Sequence, residues 1–197
     1  MPRGRASGYP EQRAAILAAS ARLFALHGFA ATSMNQVAQA CGLSKPALYH
    51  YFADKDALLA EIAESHVRQL LAVVRAVESE CTDAADRLPA LIRHFVEEYA
   101  GAQDAHRVLT EDVRFLDVAR RTRILDIERE VVAGFAAAIA ALRPGLAQRA
   151  KPLAMLLFGM INWLFTWFKP GRDLDYAELA PLVAELFLHG ALNLTTH

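Results

Sequence analysis

Three side chains that bind phosphates or base edges well lie within six residues of one another. Lys45 supplies a cation, Tyr49 a phenol and His50 an imidazole, and Ala47 between them is small. On a short helix they share one face, whereas Leu48 and Tyr51 point to the opposite side and anchor the helix in a core. A helix of this size fits the major groove of B-DNA. The pattern therefore predicts a surface that contacts double-stranded DNA.

Local signals predict the elements that position this face. Ser33 and Gln36 have the S-x-x-Q spacing of a capping box, which opens one short helix. Gly42 is able to adopt the positive φ that a sharp turn requires. Ser44 then caps the helix that carries Lys45, and Pro46 lies in its first turn, where a missing N–H costs little. Together these signals predict a helix-turn-helix.

The charges are distributed unevenly along the chain. Residues 1–55 hold six basic and two acidic side chains, and residues 56–197 hold 15 basic and 20 acidic ones. A basic head on an acidic body is typical of a DNA-binding module joined to another function. We therefore predict a DNA-binding domain at 1–55 and a ligand-binding and dimerisation domain at 56–197.

Composition predicts an all-α protein. Of 197 residues 54% are hydrophobic, and β-branched runs are rare. Apolar periodicity indicates about nine helices, among them one continuous helix from about Leu146 to Lys169 and a last one from Tyr176 to Leu194. Residues 152–168 are nearly all apolar, but they are few for a membrane span and include Asn162, so a buried or interface helix is favoured.

Several classes of function are disfavoured by what the sequence lacks. The two cysteines, Cys41 and Cys81, lie in no metal-ligand spacing and indicate a reducing, cytoplasmic setting. We find no nucleotide-binding, hydrolase or metalloprotease motif, and we expect no enzyme activity, no metal and no cofactor. Besides a helical enzyme, the alternative class is a membrane-surface protein that uses the apolar C-terminal helices.

The stretch from Arg13 to Leu59 resembles the DNA-binding domain of the TetR family of transcriptional regulators. The matching motifs are T-S-M-x-x-V-A at 32–38, G-L-S-K-P-A-L-Y-H-Y-F at 42–52 and D-K-D-A-L-L at 54–59. The resemblance implies a homodimeric, ligand-responsive repressor on a roughly palindromic operator, although activation remains open. It implies phosphate contacts by Thr32, Ser33 and Lys55, contacts to base edges by Lys45, Pro46 and Ala47, and contacts to the DNA backbone by Tyr49 and His50.

Two C-terminal segments are apolar on nearly every side. They are residues 153–168 and 179–192, and neither can be solvated on one face. In the family that the chain resembles, the last two helices form a four-helix interface with a second copy. We therefore expect a homodimer through these helices, with simple burial inside a monomer as the alternative.

Residues 106–116 and 156–170 resemble TetR regulators that respond to acyl-CoA thioesters, nearest to repressors of phenylacetate degradation. That resemblance implies phenylacetyl-CoA or a related thioester as the effector. A free aromatic or hydrophobic ligand is the alternative effector. The arginines at 107, 114, 120, 121 and 123 could bind the phosphates of CoA, and the alternative for them is a solvated, salt-bridged face. Asn162 in its apolar helix needs a partner, which is a backbone group, the second copy or a ligand. The candidate ligand-binding residues are Arg107, Arg114, Phe115, Phe158, Asn162, Trp163 and Thr166.

Overall fold

The computed structural model describes residues 8–169, 171 and 174–193 of the chain, and these residues form helices and no strand. Within them lie nine α-helices of five residues or more and one single turn, so the predicted all-α fold of about nine helices is confirmed. The α-helices are α1 (Tyr9–His27), α2 (Met34–Ala40), α3 (Lys45–Tyr49), α4 (Lys55–Glu80), α5 (Ala84–Gly101), α6 (Gln103–Glu111), α7 (Val118–Leu142), α8 (Ala150–Ile161), α9 (Leu164–Trp167) and α10 (Tyr176–Leu192).

The predicted caps of the helix-turn-helix are present. The Ser33 amide donates to Gln36 Oε1 at 2.8 Å, and the Gln36 amide donates to Ser33 Oγ at 3.3 Å, which completes the capping box. Gly42 has a φ of 65° in the turn between α2 and α3. Ser44 Oγ accepts from the Ala47 amide at 3.3 Å and caps α3. Each cap satisfies an amide that the first helical turn leaves unbonded.

Helix α3 is short. It ends at Tyr49, although the matched motif at 42–52 continues to Phe52. The following amides, those of His50 and Tyr51, bond three residues back to Ala47 O and Leu48 O, which tightens the last turn. Asp54 Oδ1 then accepts from the Ala57 amide at 2.6 Å and caps the start of α4.

The predicted continuous helix from Leu146 to Lys169 is wrong. The chain forms a 3-10 helix at Pro144–Arg149, then α8, and then the separate turn α9. The break falls at Asn162 and Trp163, beyond the last α-helical bond from the Asn162 amide to Phe158 O at 2.8 Å. Asparagine has a low helix propensity, and here its side chain bonds to a residue of another helix, Tyr99. Leu194, the predicted end of the last helix, lies outside the described residues.

The described chain forms two compact units, each with its own core. Unit 1 contains residues 8–66 and 104–122, and unit 2 contains residues 67–103 and the described part of 123–193. Helix α4 contributes residues to both. The functional boundary at residue 55 stays a prediction. Within the described ranges, no helix combines the length and apolarity needed to cross a bilayer.

Candidate DNA-binding surface and effector region

Helix α3 presents its polar side chains outward. Leu48 is completely buried and fixes the helix in the core of unit 1, whereas Tyr49 is 44% exposed. Lys45, Pro46 and His50 are exposed as well, and Ala47 is partly exposed. The residues predicted to meet DNA on α3 therefore share one accessible surface, together with the exposed Ser33 at the start of α2.

Thr32, a predicted phosphate contact, is directed into the protein instead. Its side chain is only 2% exposed. Its hydroxyl donates to the carbonyl of Gly28 at 2.9 Å, which satisfies one of the carbonyls left open where α1 ends. The Thr32 side chain therefore closes the turn that precedes α2, and a phosphate contact at this residue stays a prediction.

The Lys55 side chain is also hydrogen-bonded within the protein. Its Nζ donates to Phe29 O at 2.6 Å and to Thr32 O at 2.8 Å, with a longer bond to Ala30 O at 3.3 Å. The ammonium lies 4.3 Å from the centre of the Phe29 ring. An ammonium has three donors, and the carbonyls occupy them. These bonds join the start of α4 to the turn before α2, and the phosphate contact of Lys55 stays a prediction.

Helix α1 holds the other end of α3 through contacts that the sequence pattern did not reveal. Tyr9 stacks on Tyr51 with ring centres 4.8 Å apart. Arg13 pairs with Glu61 of α4 and lies 4.7 Å from the centre of the Phe52 ring. The residues just after α3 are thus fixed between α1 and α4.

A segment distant in sequence, residues 104–122, belongs to unit 1. The Phe115 ring lies 5.5 Å from that of Phe29. Burial raises the pKa of the Asp112 carboxyl, and a hydrogen bond from the Phe29 amide opposes that shift. The segment that carries Arg107, Arg114 and Phe115 therefore packs on the turn before α2.

The arginines of this segment have partners. Arg107 Nε lies 3.1 Å from Glu111 Oε2, and Arg120 Nε lies 3.4 Å from Asp117 Oδ2. The Arg114 guanidinium is 5.0 Å from the centre of the Phe115 ring. For Arg107 and Arg120 these contacts match the salt-bridged face considered as the alternative to anion binding.

Two buried histidines join α4 to α6 within unit 1. His66 Nε2 and His106 Nδ1 are 3.3 Å apart, and the two residues are 5% and 3% exposed. Burial lowers the pKa of His66 to about 4, so this imidazole is neutral near pH 7. Among the described residues, no group of three or more His, Cys, Asp or Glu is arranged to hold a metal.

Unit 2 has an aromatic core formed by three helices. Phe135 lies 4.7 Å from Phe95 and 4.8 Å from Phe158 between ring centres, and Phe95 and Phe158 are 6.0 Å apart. One turn beyond Phe158, Asn162 accepts a 2.7 Å hydrogen bond from the Tyr99 hydroxyl. The polar side chain that needed a partner therefore has one within its own chain.

The candidate ligand residues are divided between the two units. Arg107, Arg114 and Phe115 lie in unit 1, and the other four lie in unit 2. Within unit 2, Phe158 is buried in the aromatic core, whereas Trp163 is 56% exposed. Thr166 donates to the Trp163 carbonyl at 2.7 Å and borders a surface cavity of about 470 Å³, beside Trp167 and Lys169.

Helices α8 and α10 expose large apolar side chains on their outer faces. Leu156 and Leu186 are each 64% exposed, and Met155 and Leu182 are 53% and 52% exposed. Their inner faces are buried in unit 2 through residues such as Leu157 and Val183. The outer faces form a surface that suits a further protein contact.

Two family descriptions match this chain, and together they span most of it. Residues 16–62 match the bacterial regulatory proteins of the tetR family. Residues 81–191 match the tetracyclin repressor-like C-terminal domain. The two matched ranges include the helix-turn-helix and the aromatic core.

Individual relatives support the same assignment. A TetR-family transcriptional regulator from Bordetella parapertussis is 35% identical, with a TM-score of 0.88 over 96% of this chain and all of that one. The transcriptional repressor KstR2 of Rhodococcus jostii is 24% identical over 96% of this chain and 95% of its own. The transcriptional activator FasR of Mycolicibacterium smegmatis is 30% identical over 110 residues, and the match spans only 50% of FasR.

A further solved structure has the same fold. It is AibR, which was crystallised in complex with isovaleryl coenzyme A and operator DNA. AibR is 24% identical to this chain, with a TM-score of 0.77 over 89% of this chain and 97% of that one. With both family matches and a full-length structural relative in agreement, the chain belongs to the TetR family of bacterial transcriptional regulators.

Proposed function

We propose that the protein is a homodimeric repressor that binds a roughly palindromic operator and is released from it by a small-molecule effector. The observation that carries this proposal is the exposed face of α3, where Lys45, Tyr49 and His50 are presented from a helix fixed by the buried Leu48. Repression is chosen over activation on the resemblance to TetR repressors, and the matched relatives include a named repressor and a named activator.

In this proposal α3 enters the major groove. Lys45, Pro46 and Ala47 meet base edges, Tyr49 and His50 contact the DNA backbone, and Ser33 contacts phosphate at the start of α2. Few base contacts carry specificity, and phosphate contacts set the register. Thr32 and Lys55 stabilise the turn before α2, which positions this surface, and this role requires no contact between their side chains and DNA.

Dimerisation places two such faces on one operator. We assign the interface to the outer faces of α8 and α10, because their exposed leucines and Met155 match the apolar core of a permanent interface. A two-fold dimer presents identical heads, which accounts for a palindromic operator.

For the effector, an acyl-CoA thioester such as phenylacetyl-CoA is one candidate. Aromatic residues including Phe158 suit an acyl group, and a protein of the same fold, AibR, binds isovaleryl coenzyme A. A free aromatic or hydrophobic ligand is the second candidate. It is favoured by the pairing of Arg107 with Glu111, which leaves that arginine less available to CoA phosphates.

In either case the effector acts by preferring the state that does not bind DNA. Helix α4 has residues in both units and is the element that we expect to transmit the change. The effector shifts the equilibrium only by its difference in affinity for the two states.

The test is an operator-binding titration on the DNA upstream of the protein's own gene. We expect tight, salt-sensitive binding that falls strongly for Lys45→Ala, and release by phenylacetyl-CoA or by a free aromatic ligand but not by CoA alone. A folded dimer that binds no promoter fragment would refute the DNA-binding role. Binding that is insensitive to every thioester would refute only the acyl-CoA assignment.

A further inference from the structure

Helices α8 and α10 each turn one face out of unit 2. Exposed residues recur along both helices about once per helical turn, which places them on one side. The α8 face consists of Lys151, Met155, Leu156 and Gly159. The α10 face consists of Glu178, Leu182, Glu185 and Leu186.

The two faces differ in charge. Lys151 and Lys169 are the only charged side chains in residues 150–169, and both are exposed. Helix α10 instead contains Glu178 and Glu185 and has neither lysine nor arginine. The α8 face is therefore basic, and the α10 face is acidic.

Lys151 and Glu185 are not paired with each other or with another charge in the described part of the chain. Neither side chain forms an ion pair or a hydrogen bond there, although α8 and α10 contact each other in unit 2. Arg75 and Glu130 on α4 and α7 show the alternative, because Arg75 Nη2 lies 3.1 Å from Glu130 Oε2. The charges of the α8 and α10 faces are therefore available to a partner molecule.

A two-fold dimer can join these faces in different ways. If α8 meets α8 of the second copy, lysines face lysines, and if α10 meets α10, glutamates face glutamates. If α8 meets α10, opposite charges face each other, and the two-fold axis repeats the match. Like charges across an interface are unfavourable, whereas opposite charges fix its register. The charges therefore favour the arrangement in which unlike helices pair.

Gly159, in the middle of the α8 face, indicates where another helix comes closest. Glycine is unfavourable inside a helix relative to alanine. At Gly134 the same chain explains the glycine, because a Cβ there would collide with Val74. At Gly159 a Cβ would meet no described atom within 4 Å. A helix of the second copy that crosses α8 at this point explains Gly159, because a residue without a side chain lets two backbones approach.

We propose that the homodimer pairs unlike helices, so that α10 of each copy lies against the α8 face of the other and the two helices come closest at Gly159. Lys151 then faces the glutamates of the second copy, and Met155 and the leucines form the apolar centre. This inference rests on the proposed function, which assigns the interface to these faces without saying which helix meets which.

Mixing two charge-reversed chains tests the pairing in the full-length protein. Lys151→Glu makes the α8 face acidic, and Glu185→Lys removes the acidic excess of the α10 face. Each variant alone should dimerise about threefold or more weakly than the parent, because its faces no longer attract. In an equal mixture each variant supplies the charge that the other lacks, so heterodimers should form about 75% or more of the dimers.

Native mass spectrometry with one chain labelled with nitrogen-15 measures the share of heterodimer. Labelled and unlabelled parent chains should give half. Arg75→Glu mixed with Glu130→Lys is the matched control, since it reverses a pair within one chain, and it should also give half. A share of half for the Lys151→Glu and Glu185→Lys mixture would overturn the pairing of unlike helices. Its excess of heterodimer should shrink in about 1 M salt, where the Debye length is about 3 Å.

The position of closest approach has its own test. Gly159→Leu should raise the dissociation constant of the dimer about tenfold or more, because the added side chain separates the helices. Gly101→Leu is the control at an exposed glycine whose added Cβ would also meet no atom within 4 Å, and it should dimerise as the parent does. Fluorescence-detected sedimentation gives both constants, and circular dichroism checks the fold. Parent-like dimerisation of Gly159→Leu would overturn a close crossing at this residue.

Leu186→Arg separates this inference from the proposed function. If that variant is a monomer while the charge-reversed chains mix to half heterodimer, the interface stands and only the pairing of unlike helices fails. If Leu186→Arg remains a dimer, the assigned interface fails and this inference fails with it.

Discussion

Lys45 and Lys55 lie ten residues apart in the sequence and have different surroundings. Lys45 is exposed on α3, whereas Lys55 donates to the carbonyls that precede α2. Both are lysines near a helix start, so residue type alone predicts a DNA contact for both. The difference arises from the fold, because the carbonyls that bind Lys55 come from residues more than twenty positions away.

Substitution should separate these two roles. We expect Lys55→Met, which keeps the aliphatic stem on Phe29, to destabilise the protein by about 1.5–3 kcal/mol through loss of charged hydrogen bonds. Lys45→Ala should leave the melting temperature nearly unchanged and weaken operator binding. Thermal unfolding and DNA titration of both variants check this. Equal stability of the two variants would contradict the structural role of Lys55.

His66 predicts how stability depends on pH. Its pKa is 6.5 in an ordinary setting and about 4 in the fold, so the folded state takes up this proton less readily than the unfolded chain. The contribution of neutral His66 to the free energy of unfolding is therefore complete above pH 6.5 and is lost as the pH falls towards 4. The loss at pH 5.5 is about 1 kcal/mol for this one group.

Denaturant unfolding of the parent and of His66→Gln at pH 7 and pH 5.5 tests this expectation. The parent should lose more stability on acidification than the variant, by about 1 kcal/mol. His27→Gln, at an exposed histidine, is the matched control and should behave as the parent does. Parallel losses in the parent and in His66→Gln would rule out His66 as the source.

At the scale of the element, the crossing of α4 and α7 depends on one glycine. A Cβ at Gly134 would lie 2.3 Å from Val74 Cγ1, which is closer than any real contact. Valine is branched at Cβ and has little freedom to move away. The two helices therefore approach this closely only because residue 134 has no side chain.

We expect Gly134→Ala to destabilise the protein by about 1–3 kcal/mol through overpacking, despite the better helix propensity of alanine. The second substitution Val74→Ala should restore part of the loss by removing the clash. Gly101→Ala, at a helix position where an added Cβ would meet no atom within 4 Å, is the control and should be nearly neutral. Chemical unfolding is measured for the parent, for the two single variants at 74 and 134 and for the double variant, which together form a double-mutant cycle. Additive changes in the free energy of unfolding would contradict direct contact between the two residues.

Helix caps and turns were predictable where they depend on residues that are close in sequence. The capping box of Ser33 and Gln36 and the turn at Gly42 depend on residues within a few positions, and both are present. The break at Asn162 was missed because its side-chain partner is Tyr99, 63 residues away in sequence. The pair of His66 and His106 was missed for the same reason, since scattered histidines carry no signal until the helices pack.

For the whole molecule, the prediction concerns its assembly. Leu186 on α10 is 64% exposed, and we assign it to the dimer interface. Leu186→Arg should convert the dimer to a folded monomer and weaken operator binding strongly, because two heads no longer act together. Leu26→Arg makes the same change at a leucine that is 72% exposed on α1, and should leave the dimer intact. Light scattering gives the mass, and a dimeric Leu186→Arg protein would exclude this position from the interface.

At this scale the sequence indicated the family and the α-helical fold, but not the grouping of the candidate ligand residues. The resemblance to acyl-CoA-responsive regulators predicted Arg107, Phe115 and Phe158 as ligand-binding residues. Arg107 and Phe115 belong to the compact unit that contains the helix-turn-helix, and Phe158 belongs to the other unit.

The three carbonyls around Lys55 also have a consequence for chemical labelling. An amine that donates to Phe29, Ala30 and Thr32 is a poor nucleophile until those bonds open. Acylating reagents should therefore modify Lys45 quickly and Lys55 slowly in the native protein, with the contrast vanishing in denaturant. The ratio of the two modification rates, measured by mass spectrometry, then reports whether the turn before α2 is closed.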